Sequence, residues 1–221
     1  MSIVLPDAPP TEWTVADVQA RLIGVSPGRI RTYPAPGTAT EADLLQAEAR
    51  GHRICELVNG ILVEKPMASY ESALAGAVIY FFHRYLETRN LGIVLGEAGF
   101  LRLRPGLVRA PDVSFIRWER FPGRQRPKAA IFPVAPDLAV EILSESNTEE
   151  EMEDKLRDYF SAGSQLVWYI DPRTRTALAY TAEDQWTEIG LGGSLVGGDL
   201  LPGFELPLEQ LFARVEGPHG P

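Results

Sequence analysis

Between Leu138 and Leu143 the chain runs apolar with one interruption, Glu141. Pro136 bounds the run on one side and Ser144-Glu145-Ser146-Asn147 on the other, so it reads as a buried central strand. Thr148-Glu149-Glu150-Glu151 then predicts a capping box, opening a helix that runs to Ala162 with Gly163 just past its end. Met152, Leu156 and Phe160 give that helix its core stripe, and Gln165 to Ile170 reads as a second buried strand. Strand, helix and strand from 138 to 170 imply a right-handed parallel crossover. Upstream, Ser69 to Arg89 is the longest helical pattern, with Leu74, Val78, Phe81, Phe82, Tyr85 and Leu86 on one face.

Alternation and turn signals place the remaining elements. Ile54–Val58, Asn59-Gly60 and Ile61–Glu64 predict a hairpin with a type I′ turn. Short strands follow at 93–95, 100–103 and 112–116, and a second hairpin at 177–180 and 185–189. Thr14–Ile23 and a stretch from Thr40 to near Gly51 read as helices, each opened by a threonine cap. Residues 1–12 are proline-rich, 24–37 and 118–134 read as loops, 190–198 as a glycine-rich loop and 205–215 as a short tail. The sum is an α/β (α+β) fold, a mixed sheet flanked by helices, without internal repeats. The expected organisation is an N-terminal extension over 1–38 with one short helix, a main domain over 39–215 and a tail over 216–221.

Composition narrows the function classes. The hydrophobic fraction, 45%, fits an ordinary globular protein. No run of eighteen apolar residues exists, so no membrane span is expected, and the first residues lack the pattern of a secretory signal. A cytoplasmic location is therefore the expectation. One cysteine, Cys55, excludes an internal disulfide and a cysteine zinc cluster. A net charge of −9 argues against a general nucleic-acid coat. It leaves room for a local basic track at Arg102, Arg104, Arg109, Arg117, Arg120, Arg124, Arg126 and Lys128, for which solvated loop charge is an equal explanation.

The candidate chemistry lies in carboxylates on apolar strands. A buried carboxylate is costly unless it is paired, hydrogen-bonded or on a metal. Glu141 is one, and Asp112, at the start of the strand Val113-Ser114-Phe115-Ile116, is the other. Mg2+ takes hard oxygen ligands and keeps several waters, so Asp112, Glu141 and the backbone carbonyl of Ile142 form a candidate ligand set. Lys155, on the following helix, is the candidate for orienting a water or stabilising negative charge. Glu56, on the first hairpin, is a fourth candidate. Each has a plain alternative: a Pro-Asp turn for Asp112, an arginine pair in the core for Glu141, an i,i−4 pair with Glu151 for Lys155, and a solvated edge for Glu56. His52, His83 and His219 have no ligand spacing, and there is no G-x-S-x-G or phosphate-loop pattern.

Three segments occur in order: Glu56-Leu57-Val58-Asn59-Gly60, Ala110-Pro111-Asp112-Val113-Ser114-Phe115-Ile116, and Pro136-Asp137-Leu138-Ala139-Val140-Glu141-Ile142-Leu143-Ser144. Lys155, Tyr159, Gly163 and Val167-Trp168-Tyr169-Ile170-Asp171-Pro172 follow. Over residues 40–185 this set resembles the Uma-type restriction-endonuclease family of the PD-(D/E)XK nuclease superfamily. The resemblance implies a restriction-endonuclease-like core and a Mg2+-dependent DNA endonuclease, with Mn2+ able to substitute. Asp112 matches the motif aspartate, Glu141 the second acid, and Glu56 the acid of the early hairpin. The superfamily lysine belongs two residues after that second acid, where this chain has Leu143. Lys155 matches a helix lysine that takes its place. The histidine that many relatives carry at the start of the long helix is lost here, in Ser69-Tyr70-Glu71-Ser72. DNA is the implied partner and, by analogy with restriction nucleases, a homodimer the implied assembly. The rivals are a catalytically inactive module of the same fold that binds DNA or a protein partner, and a hydrolase of another substrate.

Overall fold

The computed structural model of the chain describes residues 12–51, 54–66 and 68–217. The start as far as residue 11, His52, and the end of the tail with His219 lie outside them. In chain order the elements are α1 (Val15–Arg21), α2 (Glu41–Ala49), β1 (Cys55–Val58), β2 (Ile61–Glu64), α3 (Ser69–Leu86), β3 (Gly92–Gly96), β4 (Leu101–Arg104), β5 (Leu107–Arg109) and β6 (Val113–Arg117). Then come β7 (Leu138–Ile142), α4 (Glu149–Ser161), β8 (Leu166–Asp171), β9 (Thr176–Ala182), β10 (Gln185–Ile189), β11 (Ser194–Val196), β12 (Glu205–Pro207) and α5 (Leu208–Glu216). Among the described residues no helix is long and apolar enough to cross a membrane.

Six strands form the main sheet in the order β10-β9-β8-β7-β6-β3. Only β7 and β8 run parallel, Glu141 standing beside Tyr169; the other pairs are antiparallel. This is the crossover expected from strand, helix and strand, with α4 as its helix. Alternation assigns the faces. Val113, Phe115, Leu138, Val140, Trp168 and Ile170 point to a core closed by α3 and α5. Ala139, Val167 and Tyr169 point the other way, onto Met152, Leu156 and Tyr159 of α4. Glu141 is in phase with Ala139, so it faces α4.

A second sheet, β2-β1-β5-β4, carries the Asn59-Gly60 hairpin. Both turn residues take positive φ, 50° and 78°, as a type I′ turn requires. A Cβ at Gly60 would lie 2.5 Å from the Gly37 carbonyl oxygen, so glycine is also demanded by the close approach of the preceding loop. The chain passes from β5 to β6 through Ala110-Pro111-Asp112, and there the two sheets meet.

Several sequence expectations need correction. The C-terminal stretch is no tail: β11 and β12 pair, and α5 buries Leu208, Leu211 and Phe212 in the main core. The glycine-rich loop contains β11, and β5 was not anticipated at all. The capping box of α4 is half formed. Thr148 accepts the Glu151 amide at 3.2 Å, but the Glu151 carboxylate turns to Arg29 instead. The N-terminal helix packs Val18 and Leu22 against Val58, Ile61, Val63 and Leu107 of the second sheet.

Candidate active site

The register sets the two strand acids side by side. Val113 pairs with Val140 and Ser114 with Ala139, so one step further brings Asp112 opposite Glu141. Both are buried, at 4% and 3% exposure. Asp112 sits at a bend just before β6 but is buried there, and the solvated-edge reading of Glu56, which is 1% exposed, fails. Asp112 Oδ2 accepts the Ile142 N–H at 2.7 Å. The N–H and C=O of one strand residue face the same edge, so the Ile142 carbonyl turns towards Asp112 as well.

Three cations lie among these acids. Lys155 reaches across from α4, its Nζ 3.3 Å from Glu141 Oε1 and 3.7 Å from Glu56 Oε2. It is 2% exposed, and Glu151 is engaged with Arg29, so the surface-pair reading of Lys155 falls. Tyr159, one helical turn further, donates to Glu141 Oε1 at 2.6 Å. Arg109 bridges Glu56 Oε2 at 2.8 Å and Asp158 Oδ2 at 2.5 Å, and the Ala110 amide donates to Glu56 Oε1 at 3.0 Å. The third cation was not anticipated. Lys65, immediately after β2, places Nζ 2.8 Å from Asp112 Oδ1 and 3.9 Å from Glu141 Oε2, and donates to the Ala110 carbonyl. Lys65 shares the phase of Ile61 and Val63, but Leu62 is buried as well, so alternation alone does not single it out.

The two glutamates are driven apart. Burial raises the Glu56 carboxyl, but Lys155, then Arg109 and Lys65, outweigh it and hold the group down at about 2. For Glu141 burial wins: its carboxyl stays raised despite Lys155 and Lys65, with Asp112 and Glu56 pushing the same way. Burial opposes the charge on Lys65, yet Asp112, Glu141 and Glu56 raise its ammonium well above the usual lysine range. Divergent carboxyls of this kind cluster at functional sites.

Asp112 Oδ1 and Glu141 Oε2 face one cation, the Lys65 ammonium, so their geometry suits a positive charge between them. Two carboxylates are the hard oxygen donors that Mg2+ or Mn2+ prefers. Among the described residues no three histidine, cysteine or acidic side chains converge closely enough to hold a metal by themselves. Two side-chain carboxylates would leave positions for waters on such an ion, and Lys65 stands at the oxygens it would use.

The basic middle of the chain is largely spoken for. Arg102 pairs with Glu41, Arg117 and Arg120 with the fully buried Asp137, and Arg124 with Glu119. Asp137 also accepts the Arg117 amide and the Gln165 side chain, so these arginines fix the loop after β6. Two grooves open beside the strand ends. One, about 400 Å3, is lined by Leu143, Met152, Tyr180 and Trp186; the other, about 460 Å3, by Pro66, Tyr70, Glu71, Ser144 and Glu145.

Comparison with known proteins bears on the fold and on the family. A crystal structure from Anabaena variabilis ATCC 29413, described as a "putative nuclease", superposes with a TM-score of 0.64 at 21% identity, covering 73% of this chain and 91% of that one. The likeness shows the fold, which is restriction-endonuclease-like. None of the curated proteins matches the chain. The Uma2 family, described as "Putative restriction endonuclease", matches residues 41–209, a span that contains Glu56, Lys65, Asp112, Glu141 and Lys155. The chain belongs to the Uma2 family.

Proposed function

We propose that the protein is a divalent-metal-dependent DNA endonuclease, with Asp112 and Glu141 as the side-chain metal ligands. The observation that carries this reading is the pair of buried carboxylates, Asp112 just before β6 and Glu141 on β7, whose Oδ1 and Oε2 turn to the common cation position that Lys65 occupies. The Ile142 carbonyl, at the same strand edge, is the backbone ligand. Mg2+ or Mn2+ bound there would lower the pKa of a water and neutralise charge on the phosphate. The chain's own residues prepare the site. Ile142 N–H orients Asp112, Tyr159 O–H orients Glu141, and Lys155 favours the ionised form of Glu141 against burial. Glu56, kept ionised by Arg109 and Lys155, fixes the Lys155 ammonium from its other side.

The catalytic lysine missing at position 143 is supplied by Lys155, as its seat between Glu141 and Glu56 supports. A second reading, an inactive module of the same fold, is favoured by one feature. Glu56, Asp112 and Glu141 each already face a cation: Arg109 and Lys155 for Glu56, Lys65 for Asp112, Lys155 and Lys65 for Glu141. Cleavage of plasmid and single-stranded DNA with Mg2+ or Mn2+ separates the two. Metal-dependent cleavage is expected from the wild type and is expected to vanish in Glu141→Ala and Lys155→Met. Cleavage retained by Glu141→Ala would refute the ligand assignment, and no cleavage by the wild type on any DNA would favour the inactive module.

A further inference from the structure

Lys65 carries a buried charge that the proposed reaction does not use. Its side chain is 3% exposed, and its ammonium faces both proposed ligand acids and donates to the Ala110 carbonyl. The remaining oxygens of those acids are taken elsewhere. Asp112 Oδ2 accepts from Ile142 N–H, and Glu141 Oε1 from Tyr159 and Lys155. Asp112 Oδ1 and Glu141 Oε2 are thus the atoms left for an ion, and Lys65 faces both.

We propose that Lys65 is a built-in occupant of the divalent-cation position, so that an ion binds only as the ammonium leaves. The proposal rests on Asp112 and Glu141 being the metal ligands. Two facts carry it. A Mg2+ ion sits about 2.0–2.1 Å from its oxygens, and an ammonium 2.8 Å from Asp112 Oδ1 leaves no room for one on that side. The same ammonium lies 3.9 Å from Glu141 Oε2, so the lysine and an ion would compete for one pair of oxygens. There is somewhere for it to go. Pro66, next in the chain, lines the groove of about 460 Å3 that holds Glu71 and Glu145. Glu71 Oε2 is buried there without a hydrogen-bond partner among the described residues. The Lys65 ammonium would satisfy it after swinging out. Lys65 is therefore a positioning residue that sets how tightly the site takes its ion.

The test is Mn2+ binding by calorimetry to the full-length wild type, Lys65→Met and Lys65→Arg, without DNA. Lys65→Met should bind Mn2+ at least about tenfold more tightly than wild type, and Lys65→Arg no more tightly. Because Lys65→Met leaves two acids less compensated, a second readout uses the wild type alone. Amine acetylation read by mass spectrometry should find Lys65 protected without metal and labelled several-fold faster with saturating Mn2+. Equal or weaker Mn2+ binding by Lys65→Met, or Lys65 labelling unchanged by Mn2+, would overturn the proposal while leaving the nuclease reading intact. Absence of Mn2+ binding from all three proteins would overturn both.

Discussion

At the scale of single residues, Glu56 gives the clearest dependence on pH. Its carboxyl sits at about 2 in the folded protein against an ordinary 4.5, because Lys155, Arg109 and Lys65 more than offset its burial. A depressed acid stabilises the fold above its unfolded pKa, and that contribution is lost as pH falls from about 4.5 to about 2. The gap in urea midpoint between wild type and Glu56→Gln should accordingly be widest above pH 5 and close towards pH 2; a gap constant over that range would contradict the assignment. The acids were legible because each interrupts an apolar stretch, a costly place for a charge. Lys65 was not. Glu64-Lys65-Pro66 reads as the polar end of a hairpin, and only the approach of β2 to the Ala110–Asp112 junction turns the side chain inward. Asp112→Asn leaves the Lys65 ammonium without its nearest acid, so a loss of stability is expected in urea denaturation.

At the scale of elements, α4 is aimed by an ion pair from outside the matched family span. Arg29 donates to both Glu151 oxygens, at 2.7 and 2.8 Å, and to the Glu64 carbonyl at 2.8 Å, with both side chains buried. Removing one partner of such a pair costs roughly 3–5 kcal/mol. Arg29→Met should show a loss of that order in chemical denaturation and weaken any function that needs Lys155 in place. Arg29→Met combined with Glu151→Met should recover much of the stability. A loss under about 1 kcal/mol from the single change would show the pair to be incidental. The sequence disclosed α4 and its threonine cap, but the local uses it offered for Glu151, a capping box and a pair with Lys155, both miss its partner, which lies 122 positions away. The C-terminal helix was hidden differently. Leu208, Leu211 and Phe212 have helical spacing, yet the glycines before them and the short length of α5 (Leu208–Glu216) made a tail the simpler reading.

At the scale of the whole molecule, the strand–helix–strand unit fixed the parallel pair at the centre of the sheet. The division into two sheets could not be read, because β5 is three residues long and pairs with β1, some fifty positions away. Net charge and ion pairing together bear on DNA contact. With Arg102, Arg109, Arg117, Arg120 and Arg124 of the basic track already matched to acids, the exposed Arg104, Arg126 and Lys128 are the charges most open to phosphates, and Arg126 and Lys128 lie together in the loop after β6. Each phosphate contact on duplex DNA contributes about −0.9 to the slope of log K against log salt. Arg126→Ala with Lys128→Ala should flatten the slope by roughly 2, and an unchanged slope would place the DNA on another face. The central claim, that Asp112 and Glu141 hold a divalent ion, has one direct measurement: anomalous scattering from a crystal equilibrated with Mn2+. A peak is expected about 2 Å from Asp112 Oδ1 and Glu141 Oε2, with the Lys65 ammonium displaced towards Glu71. A peak elsewhere, or none between the two carboxylates at saturating Mn2+, would contradict it.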